Sequence, residues 1–168
     1  TVGVKVDTGL ARSGIGPMDW PALCRQLVHW CSDGALVLRT AMCHLACGDQ
    51  PGHPLNGAQA AALDDRVDEL RRLGVAPHRV HIANSAAALT DRSLCRDMVR
   101  TGIAVYGCSP IPTLGDFGLI PAMTLTSEVS LIRKIPAGQG VSYNHQWVAD
   151  RDTMVGVVAC GYADGVPR

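Results

Sequence analysis

Asn84-Ser85-Ala86-Ala87 sets a hydroxyl and backbone N–H groups at the start of a helix, and Gly102-Ile103 is a second stretch where backbone can approach a ligand closely. Together the two could hold an anion such as a phosphate. Asn-Ser is also an ordinary helix cap, and the residues alone leave both readings open. Arg100 follows Ser85 by fifteen positions and never gives up its proton, so it can serve the same ligand or sit in a solvated loop. Tyr143 lies in Val141-Ser142-Tyr143-Asn144-His145. A tyrosine titrates near ~10, so work as a base requires positive charge or donors at its oxygen. Otherwise it packs in an interface. His81, between Val80 and Ile82, reads either as part of a polar network or as a satisfied core histidine. Cys43-His44-x-x-Cys47 with His53 nearby offers ligand types that zinc takes. The spacing lacks the usual paired CxxC, and no metal is expected. Phosphate-cradling GxxxxGK, GxSxG and HExxH patterns are absent from the chain.

These residues need a scaffold, and the hydropathy pattern supplies one. Val2 to Val6 is a short β-branched run ending in Asp7-Thr8-Gly9, which predicts a buried strand delivering polar side chains at its end. A helix follows, with Asp19 as cap, Pro21 in its first turn, Leu23, Leu27 and Trp30 at helical spacing, and Asp33-Gly34 as its stop. Ala35 to Leu38 opens a second strand toward Cys43 and His44. Residues 57 to 73 place Ala60, Leu63, Val67 and Leu70 on one helical face, ended by Gly74. Val80 to Ala83 predicts a strand, Asn84-Ser85 a short helix, and Ile103 to Tyr106 a further strand.

Strands alternating with helices imply a parallel sheet, and Asp7, His44, Ser85 and Arg100 fall at or just beyond strands, the edge where (β/α)8 barrels carry their sites. Residues 1–119 would form half of a ~250-residue barrel, the C-terminal half, with the first half expected to precede residue 1. After Pro110-Ile-Pro112 and Gly115-Asp-Phe-Gly118 the pattern changes. Leu125, Val129, Leu131 and Ile135 alternate with polar neighbours, a turn is expected at residues 136–140, and Met154 to Cys160 predicts another strand. The expected fold class is therefore α/β: the C-terminal half of a (β/α)8 barrel over 1–119, then the start of a β-rich second domain over 120–168.

With 47% hydrophobic residues in 168, the chain can bury a sizeable core. Fifteen basic and fifteen acidic residues cancel, which argues against a nucleic-acid partner. Apolar runs fall short of the ~20 residues that span a bilayer, and the first residues lack the layout of a signal peptide, so no membrane and a cytoplasmic location are expected. Seven cysteines at irregular spacing suit reduced thiols.

The ordered set Lys5-Val-Asp7-Thr-Gly-Leu-Ala-Arg12, His81-Ile-Ala-Asn84-Ser85-Ala-Ala, Arg100-Thr-Gly102-Ile103-Ala-Val-Tyr-Gly and Ser142-Tyr143-Asn-His, closing on Gly161-Tyr162-Ala163-Asp164-Gly165, resembles alanine racemase, a pyridoxal-phosphate enzyme. The resemblance implies two-base proton exchange between L-alanine and D-alanine, supplying D-alanine for cell-wall peptidoglycan. It implies that Ser85, with Asn84 and the backbone of Gly102 and Ile103, binds the phosphate of pyridoxal 5'-phosphate. Arg100 would face the pyridine nitrogen and keep it unprotonated, tuning the cofactor toward reprotonation. His44 would lie beside Tyr143, the base, which in this family acts in the partner's site of a homodimer. Arg12 would take the substrate carboxylate with its planar fork. Lys5, carbamylated in many relatives, would brace it, an unmodified lysine paired with a carboxylate being the alternative. His81 would back Arg100, and Tyr162, Asp164 and Asp49 would line the substrate corridor.

The chain departs from the family pattern at Ala11, where asparagine is common, at Thr101 in place of a proline, and at Asn144 in place of the glycine after the tyrosine. Lys5 and Lys134 are its lysines, and neither stands in the family's Lys-Ala-Asn-Ala-Tyr-Gly context. The Schiff-base lysine is therefore expected upstream of residue 1, and the chain alone is expected to be an inactive fragment. A racemase of the same fold acting on serine or on a broad range of amino acids, a non-catalytic pyridoxal-phosphate-binding protein and a cofactor-free dimerising remnant are the alternatives.

Overall fold

A computed structural model describes residues 1–167. The chain forms two compact units, the first Thr1–Ala122 and the second beginning at Met123. The first is α/β, its three-stranded sheet running in the order β1-β2-β3 with β1 Val2–Lys5, β2 Leu38–Met42 and β3 Arg79–His81. Both pairings are parallel, with Val4 opposite Ala41 and Ala41 opposite Val80. Parallel neighbours turn the C-terminal ends of all three strands to one edge, so the loops after them meet there.

Helices α1 (Trp20–Ser32) and α2 (Pro54–Arg72) make the crossovers. Trp20, Cys24 and Leu27 recur every three to four residues and are the buried stripe of α1. Asp19 precedes α1 but makes no side-chain cap: its backbone is already helical, and Asp19 and Trp20 both donate their N–H to the Gly16 carbonyl. A cap side chain reaches N2 or N3 from extended backbone, and this one does not have it. The second strand starts at Leu38 rather than Ala35, because Leu36 donates to the Trp30 carbonyl and stays with the end of α1.

Helix α2 begins three residues ahead of the expected position 57. Pro54 occupies the first turn, and His53 caps it by accepting the Leu55 N–H on Nδ1 at 3.2 Å. It ends where Gly74 turns at φ 80°, returning the Val75 N–H to the Leu70 carbonyl. Leu63, Val67 and Leu70 pack with Val4, Ala41 and Val80 of the sheet, with Ile82 just past β3, and with Trp20 and Leu27 of α1 in one buried cluster. The indole N–H of Trp20 donates to Glu69 at 2.8 Å, and the Arg66 guanidinium lies 5.4 Å over its ring. Helix α3 (Ser85–Thr90) follows β3 with Asn84 as cap, its Oδ1 accepting the Ala87 N–H at 2.9 Å.

Ile103–Tyr106 is a 3-10 turn, not the expected strand. β-Branched and aromatic residues raise strand propensity, but that preference yields to local bonds. The Ser85 hydroxyl accepts the N–H of Gly102 and of Ala104, Val105 donates back to Gly102, and Gly107 closes the turn at φ 74°. Only glycine suits Gly107, since a Cβ there would stand 1.8 Å from the Ile120 carbonyl oxygen.

In the second unit β4 (Val129–Ile135) pairs antiparallel with β7 (Thr153–Val158), and β5 (Gly140–Val141) with β6 (Trp147–Val148). The alternation expected from Met123 becomes strand only at Val129. Residues 136–139 turn between β4 and β5 with Gly138 at φ 81°, its N–H on the Ala149 carbonyl. Among the described residues all seven cysteines are free, and no helix is long and apolar enough to cross a membrane.

Candidate functional site

The segment leaving β2 and the end of β3 converge on Arg100. Its main-chain N–H donates to the Ala83 carbonyl at 2.9 Å, fixing the residue beside the end of β3. Its Nε donates to His81 Nδ1 at 3.0 Å; Nη2 donates to the Cys43 carbonyl at 3.1 Å and lies 3.0 Å from His44 Nδ1. A guanidinium has only donors, so both Nδ1 atoms must accept, which places each ring's proton on Nε2. The two imidazoles are therefore neutral. Their pKa values lie below the ordinary range, through burial first and the Arg100 charge second, with Arg12 and Lys5 adding to the effect at His44. His81 is buried behind Arg100, while His44 and Arg100 are half-buried.

The second cluster is built on Ser85, which is buried at the start of α3. Its hydroxyl oxygen accepts the Gly102 N–H at 2.8 Å and the Ala104 N–H at 3.3 Å. Backbone donors thus converge on one oxygen. Asn84 lies against Gly48, where a Cβ would stand 2.8 Å from its Nδ2, so the β2–α2 loop passes this close only because Gly48 has no side chain. A cleft of about 490 Å³ joins the two clusters, with His44, Arg100, Asn84, Ser85, Gly102 and Ile103 in its wall and Asp49 exposed at the same loop.

Arg12 is exposed in the loop after β1, and Lys5 at the end of β1 hydrogen-bonds the Ser13 hydroxyl. Asp7 folds that loop: its carboxylate accepts the N–H of Gly9 and Ala11, which hold its pKa below the usual carboxylate value. Ala11 has φ 55°, a left-handed conformation unfavourable to a side chain with Cβ. The structure gives Lys5 no carboxylate partner among its hydrogen bonds and ion pairs within the described residues.

Tyr143 belongs to the second unit and is 77% exposed. It stands in a short 3-10 turn whose neighbours carry unusual backbone: Ser142 at φ 60°, Asn144 at φ 58° and His145 at φ 43°. Asparagine is among the residues that tolerate this region, so the place where the family has glycine keeps a left-handed backbone here. The His145 ring rests over Gly140, where a Cβ would lie 2.2 Å from Cγ. Tyr162 and Asp164 form another 3-10 turn, tied by the Gly161 N–H donating to Asp164 Oδ2 at 2.9 Å.

Among the described residues no group of three or more His, Cys, Asp or Glu side chains could hold a metal ion; His53 instead caps α2. Sequence reasoning missed Gln59. It is fully buried on α2 and bonded to Thr8, His44 and Ala46. The available signal was its register, four residues before Leu63 on the apolar stripe, where a polar residue needs partners.

The family profile described as alanine racemase, N-terminal domain, matches residues 1–110, and that described as alanine racemase, C-terminal domain, matches residues 122–168. The chain is 51% identical over 168 residues to an alanine racemase of Mycolicibacterium smegmatis, covering all of this chain and 43% of that protein. It is 46% identical to an alanine racemase of Mycobacterium tuberculosis, covering all of this chain and 44% of the relative. Among solved structures, alanine racemase from Streptomyces coelicolor matches with a TM-score of 0.91 at 42% identity, over 99% of this chain and 45% of that one. The alanine racemase of D-cycloserine-producing Streptomyces lavendulae matches with a TM-score of 0.90 at 45% identity, over 99% and 44%. The chain thus spans less than half the length of these relatives.

Proposed function

This chain belongs to the alanine racemase family, and we propose that the protein interconverts L-alanine and D-alanine with pyridoxal 5'-phosphate, as a cytoplasmic homodimer that supplies D-alanine for peptidoglycan. The observation that carries this reading is the pairing of two clusters in one cleft: a permanent guanidinium charge held by two neutral imidazoles, and backbone N–H groups gathered at the Ser85 oxygen. These donors fit the cofactor. An oxygen already draws the Gly102 and Ala104 N–H groups together, the kind of donor set a phosphate oxygen uses.

When bound, pyridoxal 5'-phosphate acidifies the α-proton of an amino acid attached through its amine. The Ser85 hydroxyl, with Asn84 and the backbone of Gly102 and Ile103, would hold its phosphate. Arg100 would face the pyridine nitrogen; because the guanidinium keeps all its protons, that nitrogen is held without one. His81 fixes Arg100 from behind, and His44 completes its hydrogen bonding. Arg12 would hold the substrate carboxylate, with Lys5 bracing the loop that carries it. Tyr143 would be one of two bases, exchanging the α-proton in the partner's site, which gives its exposure a use. Asp49, Tyr162 and Asp164 would line the approach for substrate.

We assign residues 1–119 to the C-terminal half of a (β/α)8 barrel and 120–168 to the start of the β-rich domain, a division supported by the parallel sheet of the first unit and the antiparallel pairs of the second. The test is Tyr143→Phe in the full-length protein, with cofactor absorbance and the solvent deuterium exchange that accompanies conversion of one alanine enantiomer into the other measured together. The expected result is unchanged absorbance with exchange reduced at least ~100-fold, the scale of losing a general base. Exchange at the wild-type rate would overturn the role of Tyr143.

A further inference from the structure

Gln59 carries no exposed surface, although it is polar and lies on a helix whose buried neighbours are mostly apolar. A carboxamide in that setting is retained only when its hydrogen bonds are made. Its Nε2 donates to the His44 carbonyl at 3.1 Å and to Thr8 Oγ1 at 3.2 Å, while its Oε1 accepts the Ala46 N–H at 2.8 Å. The two backbone partners fix the sense of the amide, because a carbonyl can only accept and an N–H can only donate.

One side chain therefore ties the loop after β1 to the loop after β2, and grips the second loop on both sides of Leu45. The gripped segment continues directly into the site. The Cys43 carbonyl and the His44 ring meet the same nitrogen of Arg100, at 3.1 and 3.0 Å. A shift of the 43–46 backbone away from Arg100 by about an ångström would carry both contacts out of hydrogen-bond range.

We propose that Gln59 is a positioning residue of this site: from beneath the sheet edge it holds the backbone of His44 and Ala46, so that the Cys43 carbonyl and the His44 imidazole meet the Arg100 guanidinium. Gln59 hydrogen-bonds Thr8, His44 and Ala46 rather than Arg100, lies outside the cleft wall, and acts through the His44 segment. Its effect on turnover rests on the racemase reading; its effect on His44 does not. If Gln59 merely fills space, an apolar side chain of similar length would replace it without consequence at His44.

The experiment uses the full-length protein with pyridoxal 5'-phosphate and compares wild type with Gln59→Met, which keeps the length but makes no hydrogen bonds, and Gln59→Glu, which keeps an acceptor for the Ala46 N–H but loses the amide donors to His44. Circular dichroism checks folding. Nitrogen-15 histidine NMR, with the His44 signal assigned through His44→Gln, reports the ring. Polarimetry gives kcat and KM for L-alanine. In the folded variants the His44 signals should move and titrate nearer the ordinary imidazole range, as the ring leaves the Arg100 charge while Arg12 and Lys5 stay in place. The expected kcat falls about tenfold with KM within about twofold, the range seen when groups that orient a site are removed. Unchanged His44 signals with kcat within about twofold of wild type would overturn the proposal. Should Gln59→Met fail to fold, Gln59→Glu is read against the same criteria. A wild-type protein that does not racemise alanine would sink the activity assigned above, while displaced His44 signals in the variants would still establish the clamp.

Discussion

Arg100 Nε donates to His81 Nδ1 at 3.0 Å, and the ring that accepts it is 3% exposed. A protonated His81 would have no lone pair at Nδ1 and would set two positive charges against each other in a buried place. The same reasoning applies to His44 across the guanidinium.

The pH dependence of stability follows. Both histidines have folded pKa values depressed below the ordinary 6.5. The unfolded chain therefore takes up protons on them at higher pH than the folded one. Their contribution is complete above pH 6.5 and is lost as pH falls through the depressed folded values. Urea unfolding should show a lower midpoint at about pH 5.5 than at about pH 7.5. The double variant His44→Gln, His81→Gln should show a smaller difference, and an equal difference would refute this origin.

Ala11 holds a left-handed backbone at φ 55° although its N–H is engaged by Asp7. Relief of that strain should stabilise the loop that carries Arg12. Ala11→Gly is expected to raise unfolding free energy by about 0.5–1 kcal/mol, the left-handed cost for alanine less the entropy that glycine loses on folding. Ala11→Asn should act in the same direction. Thermal or urea midpoints check it, and a destabilised Ala11→Gly would count against the strain.

Gly48 permits the approach of Asn84. In Gly48→Ala the new Cβ would stand 2.8 Å from Asn84 Nδ2 and 3.2 Å from Leu45 Cβ, so the cap of α3 must move. A lost cap costs about 1 kcal/mol. Titration with pyridoxal 5'-phosphate should show affinity weakened about fivefold or more, that energy expressed as binding. Affinity equal to wild type would mean that Asn84 is not part of the phosphate site.

Much of this was legible in the chain itself. Leu63, Val67 and Leu70 announce α2 by their period, and the short β-branched runs announce the strands, because burial of one face imposes that spacing. The placement of Asp7, His44 and Ser85 just beyond strand ends was legible, since a parallel sheet delivers its loops to one edge. What local pattern could not reveal was long-range bonding. Ile103–Tyr106 is apolar enough for a strand until the Ser85 hydroxyl takes the N–H of Gly102, 17 positions on, and of Ala104, 19 positions on. Asp19 has the right chemistry for a cap and the wrong backbone for it. Gln59 reads as one polar residue in an amphipathic helix, and its meaning lies in partners 51, 15 and 13 positions away.

The seating of Trp20 between Glu69 and Arg66 provides the molecule with its own optical probe. Of the three tryptophans, Trp30 is 38% and Trp147 50% exposed, whereas Trp20 is at 1%. A short-wavelength component of indole emission therefore belongs to Trp20, and its red shift would signal the lifting of α1 from α2, separately from any change in the ribbon that carries Trp147.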